Sequence, residues 1–407
     1  MEGPVKPTLP RPPARAVNVA ARMNDALPGL TIKADEVPLA DFLQFMQDFS
    51  TIPITLEPDN LAIFGQSAST PMGHFEGENQ KFGQILTSVL QPLGLEAVVE
   101  EDQIIVRKPE LIRDKTRELK VLEFTYPMGD LTHDDEKLAT ELATQVMSLI
   151  EPASWGDDED EKAEPKAEGS KAEEPKAEES RKSCSLVPGK DKFFVRQRLS
   201  GQVQILTLME KLRVARGGAP AGKKIAPETF KLATRTEQAA TRLAAPISLT
   251  FNRPTPLVKI CQKLSAAGKV RILIDWRSIA PAGWNPDAEL TLVVDKKPLS
   301  EALTALVEPM DLAYRVVDGR TIQIVSPQYL TEHLELEFHP AKELVAGPEQ
   351  IEPLLARVRA SLAEGSAEAP GRLWLDPESK CLVTMLPQPK QQLLSRLLAE
   401  WRTKETH

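Results

Sequence analysis

The chain has 407 residues, 34 of them proline and only 5% aromatic, a length that corresponds to roughly three domains with many short elements. Its formal charge of -9 is unevenly placed: Gly156 to Lys182 holds 11 acidic and 6 basic residues, so a net of -5 sits in that segment alone. The nearly neutral remainder excludes the whole-protein positive field that nucleic-acid binding draws on, and no apolar run approaches the roughly 18 residues of a membrane helix.

Residues 1–28 read as a flexible Pro/Arg-rich arm ending in a short helix, Val19 to Ala26. They lack the apolar core of a signal peptide, so the expectation is a soluble chain without an export signal, a removed leader aside. Residues 29–110 read as β-α-β-β-α-β-β. Leu30-Ile32-Ala34 alternates as a strand, and Leu39, Phe42, Leu43, Met46 and Phe49 form a helical stripe behind Pro38. Ile52-Ile54-Leu56 and Met72 to Phe75 are short strands. The apolar positions Phe82, Ile85, Leu86, Val89 and Leu90 then make one face of a helix that stops at Pro92. Alternation at Leu95-Ala97-Val99 and Ile104-Val106, broken by Glu100 to Gln103, closes the unit with a hairpin.

Residues 117–216 read as β-α-β-β-α. The elements are a strand at Leu119 to Phe124, a helix at Thr132 to Ile150, strands near Cys184 to Val187 and at Phe193 to Val195, and a helix at Val203 to Leu212. The acidic insert, 156–182, interrupts this unit; it has no apolar residue larger than alanine and is expected to be disordered. Residues 217–244 form a linker and short helix.

The same series then recurs. Residues 245–328 repeat the first unit, with Leu299, Ala302, Leu303, Leu306 and Val307 as the helical face, Pro309 as its stop, and the hairpin Leu312 to Ile324. Phe82 and Leu299 are 217 residues apart, and a helix and hairpin repeated at that distance reads as an internal duplication. Residues 333–404 repeat the second unit, with AEGSAEAPG in place of the acidic insert. The expected fold class is therefore α+β, with four small domains in two repeats.

Both units resemble known modules. Val37-Pro38-Leu39, Ile85-Leu86, Gln91 to Leu95 and Gln103 to Val106 resemble the secretin/TonB short N-terminal (STN) domain. So do Thr255-Pro256-Leu257, Ala302-Leu303, Glu308 to Leu312 and Thr321 to Ile324. The β-α-β-β-α units resemble the KH-like ring-building domain of secretins; Leu373 to Leu386, with its Asp376-Pro377 turn and Cys381-Leu382-Val383 strand, matches best. No long amphipathic β-region follows, so the secretin barrel is missing. The resemblance implies a non-catalytic scaffold for protein–protein interaction or self-association, in the periplasm or cell envelope, with the cytoplasm left open by the missing signal peptide. Two other readings stay beside it: nucleic-acid binding through the KH-like units, which lack a G-x-x-G loop, and an enzyme with a site between the halves.

Chemistry is sparse in the sequence, and no cofactor, metal or catalytic residue is expected. Gly217 to Lys224, GGAPAGKK, is near a P-loop but ends in lysine where Ser or Thr would hold magnesium. His133-Asp134-Asp135-Glu136 offers metal-ligand side chains, but consecutive residues point around a helix; a helix N-terminus fits better. Three cysteines (Cys184, Cys261, Cys381) are too few for a disulfide framework. Cys261 stands where the first repeat has Leu43, and Cys381 is expected to replace Phe193, both as buried thiols. Trp276 and Trp284 have no counterpart in the first repeat. They are the candidate interaction surface, or else anchors for the loop Arg277 to Asp287.

Overall fold

The computed structural model describes residues 9–13, 17–27, 37–59, 61–73, 79–109, 121–156, 184–221, 225, 227–345, 347–363 and 372–405. The expected strand Leu30 to Ala34, the acidic insert beyond Gly156, and the lysines of GGAPAGKK lie outside them. Residues 9–13 of the arm are docked: Leu9 packs on the core around Trp284, and Arg11 stacks 4.3 Å over its indole.

Helix α1 (Val19–Arg22) is a single turn, shorter than expected, capped by Asn18. Helix α2 (Leu39–Ser50) starts after Pro38 and buries Leu39, Phe42, Leu43 and Met46. Strand β1 (Ile54–Leu56) follows. Helix α3 (Phe82–Leu90) buries all five residues of its stripe, each worth roughly 1.5–3 kcal/mol of transfer from water. Pro92 then forces a tight turn in which Gly94 takes φ 59°, left-handed backbone that glycine adopts without strain. Strands β2 (Glu96–Glu100) and β3 (Gln103–Arg107) form the hairpin, and β1 pairs parallel with β3, giving the order β1-β3-β2.

The next unit is a three-stranded antiparallel sheet backed by helices: β4 (Leu122–Pro127), α4 (Gly129–Thr132), α5 (Glu136–Leu149), β5 (Ser185–Pro188), β6 (Lys192–Gln197) and α6 (Leu199–Ala215). The order is β4-β6-β5. The single helix expected from Thr132 is split. His133 and Asp134 take φ 51° and 54°, and Asp135 caps α5 by accepting from Lys137 N and Leu138 N.

The second half holds α7 (Arg235–Leu243), β7 (Pro246–Pro256), α8 (Leu257–Gly268), β8 (Arg271–Ile274), α9 (Trp276–Ile279), β9 (Glu289–Pro298), α10 (Leu299–Val307), β10 (Ala313–Asp318), β11 (Thr321–Val325) and α11 (Pro327–Glu332). Its last unit is β12 (Leu334–Pro340), α12 (Ile351–Ala363), β13 (Arg372–Leu375), β14 (Cys381–Pro387) and α13 (Gln388–Glu405). The strand orders β8-β11-β10 and β12-β14-β13 match those of the first half element for element. The β7-β9 ribbon runs from the pair Pro246–Pro298 to the pair Pro256–Glu289. At the corresponding places the first half has the bridges Ala26–Lys81 and Pro38–Pro71.

Side-chain bonds fix the correspondence of the two helix-backed units. Gln202 Nε2 donates to Leu122 O at 2.9 Å and its Oε1 meets Tyr126 Oη at 2.7 Å. Gln391 Nε2 donates to Glu335 O at 2.7 Å and its Oε1 lies 2.9 Å from His339 Nε2. With α6 and α13 starting at equivalent points, Phe193 corresponds to Leu382, and Cys381 to Lys192. Cys381 therefore does not replace Phe193. The offset is one residue, which in a strand exchanges the faces.

That exchange shows how the halves join. Leu382 and Leu386 face α12 and α13, while Leu336, Phe338, Cys381, Val383 and Met385 face the other way, into the core built by α5 and α6. The order of layers is sheet, helices, sheet, helices. Helix α6 lies between two sheets and buries Ile205, Leu208 and Met209, and also Glu210, Lys211 and Arg213. The corresponding outer face of the first sheet is open, with Val187 56% and Phe194 46% exposed. The two hairpin units meet through equivalent elements: a cavity of about 440 Å³ lies between α2 and α8, bordered by Leu43 and Gln44 on one side and Cys261 and Gln262 on the other.

Candidate functional site: the four-unit junction

Polar chemistry concentrates where all four units meet. Arg315 on β10 lies opposite Gln323 on β11, so both side chains leave the same sheet face. Arg315 donates from Nε and Nη2 to Gln323 Oε1 at 2.9 and 2.7 Å, and forks onto Asp59 at 2.8 and 2.6 Å. It also reaches Glu335 Oε1 at 3.3 Å and stacks 5.4 Å over Tyr329, with no exposed surface of its own. Asp59 follows β1 of the first hairpin unit, Arg315 belongs to the second, and Glu335 to the second helix-backed unit.

A second arginine and a lysine extend the network. Thr234 and Glu237 form a capping box that makes Arg235 the first residue of α7. Arg235 Nη1 lies 2.9 Å from Glu335 Oε1, and its main-chain N donates to Glu337 Oε1 at 3.0 Å. Lys211, from α6 of the first helix-backed unit, sits 3.5 Å from Glu337. His333 Nε2 lies 3.5 Å from Asp59.

The electrostatics follow from burial and pairing. Burial pushes the Asp59 carboxyl up, but Arg315 and His333 outweigh it and hold the group well below the ordinary carboxylate range. Burial alone would lower Arg315 and Arg235; Asp59 for the first, and Glu335 with Glu337 for the second, raise both instead. The Tyr329 phenol is raised by burial. Beside this network opens a cleft of about 750 Å³, bordered by Lys108, Arg198, Arg277 and Arg320 as well as the junction itself. Arg277 Nη1 meets Glu57 Oε1 at 2.6 Å across the two hairpin units.

The residues singled out in the sequence lie elsewhere. Trp276 and Trp284 are each 2% exposed, so neither indole is at the surface. Trp276 Nε1 donates to Gln47 Oε1 of the first hairpin unit at 2.7 Å, and Trp284 Nε1 to Met310 O at 2.9 Å. Trp276 belongs to a contact inside the chain, and Trp284 anchors its loop. His133 reaches Glu378 at 3.6 Å, and among the described residues no group of three His, Cys, Asp or Glu is placed to hold a metal ion. Gly217 and Gly218 end α6, their N–H groups bonding Val214 O and Arg213 O.

Sequence reasoning missed the junction. One signal was available: Cys381 to Leu386, CLVTML, is nearly continuously apolar, as a strand covered on both faces is. Its counterpart, Lys192 to Gln197 (KFFVRQ), has a shorter apolar run of three residues between polar ends, and it is the burial that alternates there. Among the described residues no helix is long and apolar enough to cross a membrane.

No protein-family model matches the chain, and no curated protein matches it. Among solved structures, the GspC-GspD complex of the type II secretion system of enterotoxigenic Escherichia coli aligns at 12% identity. The alignment covers 39% of this chain and 99% of that one, with a TM-score of 0.14, and at that score it carries no argument.

Proposed function

We propose that the chain is a non-catalytic scaffold, descended from an internal duplication, that positions surfaces for protein partners or for further copies of itself. The observation that carries this reading is the use made of the junction's charges. Asp59, Arg315, Arg235, Glu335, Glu337 and Lys211 each pair with a group from another unit, so their charges fix the units' positions. Such a body presents strand edges and helix faces at set distances, which is what recognition by strand addition or helix docking needs. The STN and KH-like assignments and a cell-envelope location belong to the same reading and rest on the sequence resemblance.

Light scattering coupled to size exclusion over a concentration range, with crosslinking mass spectrometry in the native extract, tests it. A discrete oligomer or a stoichiometric complex with another protein is expected. A strict monomer that captures nothing overturns it.

The cleft supports a second reading, a ligand or substrate site between the halves, through its volume and its convergent polar groups. A thermal-shift screen of small anionic metabolites checks this. A concentration-dependent stabilisation lost in Arg198→Ala favours the cleft, and a flat screen disfavours it.

A further inference from the structure

The two hairpin units differ at one edge. In the second, β10 is the outer strand and Gln388, at the start of α13, lies along it. Gln388 Oε1 accepts from Val316 N at 2.8 Å, and Nε2 donates to Val316 O at 2.8 Å. A side-chain amide thus supplies both bonds that a neighbouring strand would make. In the first unit the corresponding strand is β2 and the corresponding residue Val99. The corresponding first residue of α6 is Leu199, which carries no amide.

The ladder sets which way the β2 groups point. Ile104 N donates to Pro53 O, and Val106 O accepts from Glu57 N, so both residues turn their main-chain groups toward β1. Their partners across the hairpin, Val99 and Ala97, therefore form the non-hydrogen-bonded pairs and aim N–H and C=O away from β3. Among the described residues nothing bonds to those outward groups, and Val99 is 40% exposed.

We propose that the outer edge of β2 receives an extended basic segment of a partner protein, added as a fourth strand beyond Val99. This inference rests on the scaffold reading and names its docking edge. The chemistry of the occupant follows from charge. Glu96 and Glu100 lie along the strand, and Glu101 and Asp102 form its turn. Arg107 on β3 meets Glu96 at 3.3 Å and Glu100 at 3.5 Å, and Arg277 also acts on Glu100, so among the described residues two cations face four acids and the edge stays net acidic. Lysine or arginine opposite Glu96 and Glu100, with β-branched residues between, completes the cross-strand pairing. A second copy of this chain fits poorly. Antiparallel pairing of two β2 strands about Val98 sets Glu96 against Glu100 twice, and like charges directly opposite repel.

The test uses the full chain and synthetic ten-residue peptides of alternating lysine and valine, or glutamate and valine. The lysine peptide is expected to slow amide hydrogen exchange at Ala97 and Val99 at least tenfold, and the glutamate peptide to leave it unchanged. Val99→Pro removes an outward N–H and leaves the bonds to β3 in place; it is expected to weaken the lysine peptide at least tenfold. No protection at saturating lysine peptide, or undiminished binding to Val99→Pro, overturns the proposal. Should Val99→Pro unfold, the double variant Glu96→Lys, Glu100→Lys is expected to prefer the glutamate peptide, and an unchanged preference overturns it. If the peptide arms fail while the chain still forms a stoichiometric protein complex, the edge is wrong and the scaffold reading stands.

Discussion

Arg315 and Asp59, 256 residues apart in sequence, meet through two parallel hydrogen bonds of 2.8 and 2.6 Å. Arg315 is fully buried, and the fork ties the loop after β1 to the hairpin of the other half. Removing one partner leaves charges in the interior without compensation, which typically costs about 3–5 kcal/mol. Arg315→Leu is therefore expected to lower the urea midpoint strongly, by an amount in that range when converted with the denaturant slope. A loss under about 1 kcal/mol would show that Arg235 holds the junction by itself.

The same pair sets an acid limit. The carboxyl of Asp59 is lowered in the folded chain, so its contribution is present above the unfolded carboxylate value of about 3.9 and is lost as pH falls below that toward the folded value. Stability of the wild type, measured by urea unfolding from pH 7 to pH 2, is expected to fall more steeply below about pH 4 than that of Asp59→Asn. Parallel profiles would remove Asp59 from the acid response.

Two equivalent strand positions carry opposite burdens. Val383 faces the helices of the other half, and Phe194, at the same place in the first sheet, is 46% exposed. Val383→Asp buries an unpaired charge and is expected to cost more than about 3 kcal/mol, whereas Phe194→Asp, which loses only partial burial and strand propensity, is expected to cost about 1 kcal/mol. Thermal melts of the two variants side by side decide it. Equal losses would contradict the layer order.

The thiols are expected to be inert. Burial pushes Cys261 up to about 12, and Cys184 and Cys381 are raised by the same cause. The thiolate is the reacting form, so all three are expected to react with a chromogenic disulfide at pH 8 more than about tenfold slower in the native chain than in denaturant. A fast native phase would mark a thiol that is reached by local opening.

Local chemistry made much of the fold legible. The five-residue stripes of α3 and α10 are buried at every position expected, because helical periodicity records which face leaves water. Proline stops and two-residue turns likewise encode the hairpins, since they act over three or four neighbouring residues. The split between α4 and α5 was hidden, because nothing in His133 or Asp134 as residue types demands left-handed backbone. What covers each buried face was not legible either. Val383 is equally apolar against its own helices or against another half's, and only the tertiary packing places α5 and α6 on it. Glu335 and Glu337, alternating with Leu336 and Phe338, read locally as solvent-facing acids; they are buried because Arg235, Arg315 and Lys211 come to them from distant parts of the chain. Sequence alone determined which residues must leave water and where the chain must turn. Tertiary structure decided their partners, because pairing of charges and faces across hundreds of residues depends on distances that no local pattern records.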